Sequence, residues 1–445
     1  MPFADLCPNA GASGMGRSTS GGNRMNSKLI AWGFAVASSA VAAPALAAPP
    51  KFGDPVPFAE GFTFDPIIDA RLRYEHVDTP TVDADAATLR LRAGAELKHA
   101  SGLSLLVEGE GTLAIDNHYN AFPFAVASRQ RRTQYAVVGD PQNVELNRLQ
   151  LAYKTKLGTL TIGRQRINLD DQRFVGSVGW RQNEQTFDAV RGEAKIGPVL
   201  LDATYSIGQR TIWGIDGGPR QGFGGDFVFL GAGAKLGPVN VKAFSYLLSY
   251  DEAFNYGNSS QTYGGRATAS LPVAPKTKLN LAASYAHQSN YGTNPVRYNA
   301  EYVAAEAGLA WQGLTATAGY ELLGGDRVAG KAFQTPMATL HKFNGWADLF
   351  LTTPQTGSFG GLQDWYGGIA YKFDGVKALP GLNAAVTYHR FDSDYGSVRY
   401  GDEWDASIGF KVKKRVAVLA KYANYNAKGF GADTEKLWLQ LEVAY

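Results

Sequence analysis

Residues Thr88–Leu97, TLRLRAGAEL, set Leu89, Leu91, Ala93, Ala95 and Leu97 on one face of an extended chain. Arg90, Arg92, Gly94 and Glu96 fall on the other. A period of two with unlike faces is the mark of a strand buried on one side only. Ile68–Glu75 repeats it, with Ile68, Ala70, Leu72 and Tyr74 against Asp69, Arg71, Arg73 and Glu75. Leu149, Leu151 and Tyr153 oppose Arg148, Gln150 and Lys154, while Leu279–Tyr285 and Leu314–Tyr320 follow suit, each finishing in tyrosine. Alternation alone fits two architectures: a soluble sandwich with leucines inside, or its inverse, a closed barrel with leucines outside.

Three features select the inverse. Short turns (99–102, 156–158, 196–198, 236–238, 312–313) alternate with long polar stretches such as 116–142, 207–225 and 324–362. That is the rhythm of short periplasmic turns and long extracellular loops. Tyrosine and tryptophan recur at strand ends, as interfacial girdles require, and the sequence carries 22 tyrosines. The last strand aligns Leu437, Leu439, Leu441, Val443 and Tyr445 on one face, the pattern that outer-membrane assembly machinery reads. Counting strands predicts an all-β, transmembrane, antiparallel β-barrel of about 18 strands, starting near residues 66, 88, 103, 143, 159, 186, 199, 226, 239, 261, 278, 300, 314, 363, 382, 403, 415 and 434. An even number places both ends of the barrel on the periplasmic side, and this size encloses an aqueous path unless loops plug it.

The amino-terminal region predicts export. From Met25, Lys28 supplies a positive n-region, Leu29–Val41 an apolar core and Ala45-Leu46-Ala47 a small-x-small cleavage site. The expected division is a leader and signal at 1–47, starting functionally at Met25, a periplasmic segment at 48–63 and the barrel at 64–445. Cleavage removes Cys7, the only cysteine, so sheet closure must do the work of disulfides. Charge is nearly balanced, with a formal net of +3 over the whole chain, so nucleic acid is not an expected partner. Beyond Ala47 no apolar run is long enough for a membrane helix.

With leucines outside, Arg71, Arg73, Arg90, Arg92, Arg148, Arg191 and Arg266 face the lumen, because an arginine at mid-bilayer costs about 2–4 kcal/mol. Glu75, Glu96, Glu108, Glu110 and Glu193 share that face. The plain reading is a ladder of neutralising ion pairs; the functional one is a surface whose guanidinium forks match carboxylates. Between strands, the stretch 160–191 concentrates Arg164, Arg166, Arg173 and Arg181 with Asp170, Asp171 and Trp180, which predicts a loop that narrows the lumen. Parity turns Arg164 outward, so that either Gly163 carries a bulge that resets the phase or Arg164 already lies above the hydrocarbon; Asp188 poses the same difficulty, and the phase of 239–250 is undecided. The stretch 324–362 is too long for an idle hairpin loop. Its Lys342, Phe343, Trp346 and Asp348 are candidate sugar contacts, against the alternative of a self-packed loop.

Catalysis is not expected. The six histidines show no metal-ligand spacing, and neither G-x-S-x-G nor H-E-x-x-H occurs. His389 lies on the inner face as a lone polar residue, and Asp170-Asp171 lacks the ligand series of a calcium loop. No metal or cofactor is predicted.

Two stretches carry a resemblance. One is Gly163-Arg164-Gln165, Asp171, Arg173-Phe174, Gly176, Trp180-Arg181-Gln182 and Phe187-Asp188. The other is Phe333–Thr339, then His341–Asp348 and Thr353-Pro354. By these the chain resembles the alginate export family of outer-membrane barrels over most of residues 60–445. The resemblance implies a monomeric 18-stranded channel whose arginine-rich constriction passes an anionic polysaccharide or oligosaccharide outward, with periplasmic export partners. Outer-membrane lipid, lipopolysaccharide and the assembly machinery are further expected partners. A diffusion porin for small anions or sugars remains the alternative.

Overall fold

The computed structural model describes residues 53–413 and 415–445; the expected leader and signal, 1–47, lie outside the described residues. Eighteen antiparallel strands form the wall. Phe62–Asp78, Asp83–His99, Leu103–His118, Asn143–Lys154, Gly158–Gln165 and Thr186–Ile196 come first. Val199–Arg210, Gly222–Leu236, Val239–Tyr250, Ser260–Ala274, Thr277–Asn290 and Asn299–Trp311 follow. Leu314–Leu323, Leu362–Lys372, Asn383–Asp392, Arg399–Lys413, Val416–Ala427 and Thr434–Ala444 complete the circuit. Each pairs with its chain neighbours, and the last pairs with the first, Arg71 opposite Glu442. A short strand, Val56–Ala59, adds to the periplasmic end of the first.

Closure removes the exposed edges that an open sheet of this width would carry. The alternation resolves as expected: Leu72, Leu89 and Leu91 are 42%, 39% and 48% exposed, whereas Arg71, Arg73, Arg90 and Arg92 are 3%, 1%, 0% and 4% exposed. Apolar residues face outward and charges inward, the inverse of a soluble sandwich. Two outward girdles bound the apolar band. Tyr153, Trp311 and Tyr371 mark the short-turn side, and Tyr285, Trp365 and Trp404 the long-loop side. Cross-strand ring contacts, Tyr320 to Trp365 at 4.3 Å and Tyr388 to Trp404 at 4.9 Å, stiffen the upper girdle.

Fourteen strand starts fall within one residue of the positions expected from sequence, and the first barrel strand begins at Phe62, ahead of both the expected strand start near 66 and the expected barrel boundary at 64. Phase was harder to read than position. In Gly222–Leu236 and Val239–Tyr250, Phe227, Phe229, Phe244, Tyr246 and Leu248 all point inward and are buried. They are apolar because they meet not water but the loop residues Ile167, Phe174 and Val175 in one cluster inside the barrel. Arg164 is corrected here: it keeps the outward phase of Leu160 and Ile162 and is not a lumen residue. Gly163 has φ +112°, but the register through Gly163 is unbroken. Arg164 instead makes a two-toothed pair with its cross-strand partner Asp188, at 2.8 and 2.9 Å, at the loop end of the wall. A bulge does occur nearby. The register shifts between Glu108 and Gly109, so that Asn147 and Arg148 both turn inward onto Glu108.

The outward phase of Leu91 gives a direct test. Leu91→Arg should destabilise the lipid-inserted barrel by about 2–4 kcal/mol, measured by unfolding from bilayers in denaturant. An unchanged midpoint would mean that Leu91 does not face hydrocarbon.

Candidate functional site: a lumen closed by two loops

The loop 166–185 leaves the strand Gly158–Gln165, and the loop 324–361 leaves Leu314–Leu323 on the opposite wall. Both fold into the barrel and meet. Val175 and Met337 form a parallel bridge, Gly176 N–H donates to the Met337 carbonyl at 2.8 Å, and Thr339 N–H donates to the Gln172 carbonyl at 3.1 Å. The Gln185 side-chain amide spans both loops, donating to the carbonyls of Gly176 and Met337 at 2.8 and 3.0 Å. Gly176 is required by this contact, since a Cβ there would collide with the Thr339 hydroxyl.

Ion pairs pin the joined loops to the wall on several sides. Arg173 reaches Glu321 at 2.7 Å and also donates to Thr335 and Asn344 at 3.1 and 3.0 Å. Arg181 sits between Glu75 at 3.0 Å and Asp348 at 2.9 Å. From the wall, Arg71 donates to the carbonyls of Gly179, Trp180 and Arg181, and Arg73 lies 4.1 Å over the Trp180 ring. Arg92 takes Glu110 and Glu184, and Arg166 takes Glu108 and Glu184. Burial alone would raise the Glu184 carboxyl, but Arg166 and Arg92 hold it down at about 2.

At the centre, Trp180 stacks on His341 at 4.3 Å and 6°. The imidazole contacts Asp348 through Nδ1 at 2.8 Å and Lys421 Nζ through Nε2 at 2.8 Å. An ammonium can only donate, so Nε2 accepts and the ring is neutral with its proton on Nδ1. Burial pushes the His341 imidazole well below its usual value, with Lys421 adding to the effect. Asp348 goes the other way: burial would raise it, but the contact with His341, Lys436 at 3.2 Å and Arg181 keep it well below the ordinary carboxylate range.

The arginines expected from sequence as site residues therefore separate into three groups. Arg71, Arg73, Arg90, Arg92, Arg173 and Arg181 are buried and matched by carboxylates or carbonyls, Arg90 by Asp69 and Glu442. They hold the plug and offer no open anion-binding surface, so the plain reading of an ion-pair ladder applies to them. Arg148 pairs with Glu108, Arg191 with Asp202 and Glu193, and Arg266 with Asp171 at 2.5 Å, and each of the three arginines stays partly exposed. Arg164 lies outside. Of the loop candidates, Lys342, Phe343 and Trp346 line a chamber with Tyr302, Tyr366 and His389. Asp348 is corrected: it does not line that chamber but sits in the interlock.

A vestibule of roughly 1360 Å³ opens beneath the loops at the short-turn end. Chamber and vestibule share Asp171, Arg266 and Lys342, which makes that trio the join between them. Asp170 and Asp171 diverge to separate cations, Lys242 and Arg266. Sequence reasoning missed Glu321, Lys421 and Lys436, which meet the loops, and Glu442, which meets Arg71 and Arg90 across the closing seam; their inward phase was legible but these contacts were not.

A closed 18-stranded sheet, apolar outside and charged inside, with a lumen narrowed by two loops, defines an outer-membrane channel of the porin type. The chain belongs to the alginate export family, whose description matches residues 67–327. The barrel also superposes on solved Pseudomonas aeruginosa porins at low identity. OpdK, crystallised with vanillate, gives a TM-score of 0.64 at 16% identity, covering 87% of this chain and 100% of that one. OccK9 (OpdG) gives 0.64 at 15%, covering 87% and 99%; OpdL gives 0.61 at 15%, covering 86% and 98%. No curated protein sequence matches. Fold and family are those of channels located in the bacterial outer membrane.

Two outcomes test the interlock. Arg181→Ala leaves Glu75 and Asp348 short of a partner and should weaken loop docking by about 3–5 kcal/mol, seen as larger and noisier single-channel conductance; a wild-type trace would contradict it. Acidification should act in the same direction. A released His341 titrates near 6.5, so docking is favoured above that pH and lost progressively below it, then further below about 4 as the released carboxylates protonate. Hydrogen exchange of the 175–180 amides, corrected for intrinsic rates, should speed up between pH 7.5 and 5. A flat profile would contradict the neutral-imidazole assignment.

Proposed function

We propose that this channel passes acidic saccharides, as oligomers or single extended strands, along the path from the vestibule through the Asp171–Arg266–Lys342 join into the chamber. The observation that carries the reading is the lining of that path. Arg266 and Lys342 stand at the join, followed by the rings of Phe343, Trp346, Tyr302 and Tyr366. Sugars present flat apolar faces that stack on aromatic rings, and uronate carboxylates pair with cations. The rings are fixed from behind: Arg173 lies 4.8 Å over Phe343, Lys421 3.6 Å over Trp346, and His389 stacks on Tyr366 at 5.5 Å. A rigid lining limits the ordering cost of each passing sugar.

The tight meeting of the two loops favours a second reading, a porin for small carboxylates. A solved barrel of similar fold was crystallised with vanillate. The two readings part on chain length: an extended saccharide must occupy join and chamber together, whereas a small carboxylate fills one position at a time.

Passage without catalysis is part of the proposal. His99 Nδ1 does contact Ser101 Oγ at 2.8 Å, but this is a local contact in an exposed turn. The buried imidazoles of His341 and His389 face carboxylates. We also propose that the strand ending at Tyr445 is the element read by the assembly machinery, and that lipopolysaccharide contacts the upper girdle.

Planar-bilayer recording under a salt gradient tests the saccharide reading. Anion selectivity and reversible block by uronate oligomers, weakened about three- to tenfold by Phe343→Leu, are expected, in line with the worth of one aromatic contact. Cation selectivity, or indifference to uronate, would overturn it; block by monouronate as strong as by oligomer would favour the second reading.

A further inference from the structure

The distribution of unmatched charge is uneven along the barrel axis. Every arginine of the plug and of the wall around it has a carboxylate or carbonyl partner. At the short-turn end the situation reverses. Lys154, Lys195 and Lys235 are each the last inward-facing residue of their strands, and Lys156 sits in the adjoining turn; all four line the vestibule. All are exposed, and none forms an ion pair among the described residues.

The nearby carboxylates are already engaged. Asp65 and Glu96 are held by Lys98, Glu193 and Asp202 by Arg191, and Asp54 by Arg415. Further round the same rim, Lys278, Lys372 and Lys411 also lie in the inward phase within two residues of the short-turn ends of their strands. Deeper in the vestibule, Lys242 and Arg266 carry the line of cations up to the join, there balanced by Asp170 and Asp171.

We propose that this lysine-lined vestibule is a capture site for the anionic saccharide, so that the channel loads from its periplasmic mouth; the inference rests on the saccharide reading above. Three physical points support it. Unbalanced positive charge inside a low-dielectric wall focuses the field and raises the local concentration of an anion. Lys154, Lys195 and Lys235 stand on every second strand, roughly 10 Å apart around the wall, so an oligomer engages several at once where a single uronate engages one. Lysine is also the suitable cation for this task. Its hydrated point charge on a flexible stem holds anions loosely and lets them move on, whereas the arginine fork fixes them.

The test is sided block in a planar bilayer at low salt. Orientation is set by labelling Val328→Cys, on the fully exposed tip of an extracellular loop, with an impermeant thiol reagent. The probe is a uronate oligomer added to one side at a time. In the wild-type channel, the association rate from the periplasmic side should exceed that from the outside by about tenfold and fall steeply with salt. In Lys154→Glu/Lys195→Glu/Lys235→Glu the excess should vanish while block from the outside persists. The glutamine triple, which avoids new negative charge, should show the same loss more mildly and serves if the glutamate triple fails to fold. Equal rates from both sides in wild type, or sidedness that survives both triples, would overturn the inference and leave the saccharide reading standing. No block from either side would overturn that reading and the inference with it.

Discussion

The pairing of inward arginines with inward carboxylates is the constraint on which the rest of this structure depends. A closed sheet in hydrocarbon must turn its charged side chains to the lumen, because the outer face has no solvent for them. Once inside, charges stripped of water are tolerated only if paired and hydrogen-bonded. Here the pairs run between wall and loop as well as along the wall. Arg71 joins the closing strand through Glu442 while its other donors hold the backbone of 179–181. The same side chains that satisfy the wall therefore anchor the plug.

Much of this was legible in the sequence, and the failures are instructive. A period of two fixes strand positions because every strand, whatever it faces, alternates. It also identified the inward arginines. It failed for Phe244, Tyr246 and Leu248, since the rule that the lumen is polar assumes water there, and a folded-in loop replaces water with Phe174 and Ile167. Arg164 was grouped with the lumen residues although parity turned it outward and left two explanations, a bulge at Gly163 or a place above the hydrocarbon; the second holds, since at the end of a strand, with Asp188 across from it, the charge is satisfied without turning in. Asn147 escaped notice because one bulged residue reverses parity.

The two loops show the same limit from another side. Their odd composition marked them as functional, yet nothing local in 160–191 or 324–362 shows that Val175 meets Met337, or that Trp180 stacks on His341. Such pairings join distant segments and follow from the closed wall that brings them together. Asp348 looked like a sugar contact among aromatic neighbours, and became instead the carboxylate on which Arg181, Lys436 and His341 converge. The vestibule lysines were readable by parity all along. Lys154 was placed on the polar face but, like the others, was given no role because exposed lysines are common; only the matched state of the neighbouring carboxylates makes them distinctive.

The central claim is that the loops are one locked body and the solute passes beside them. It is tested most directly by a disulfide between Val175→Cys and Met337→Cys, which face each other in the parallel bridge. Single-channel conductance would be recorded before and after reduction of the same channel. Equal conductance in both states is the predicted result, because the covalent bond adds nothing to contacts already made. A marked rise on reduction would contradict the account, showing that the loops part to open the channel.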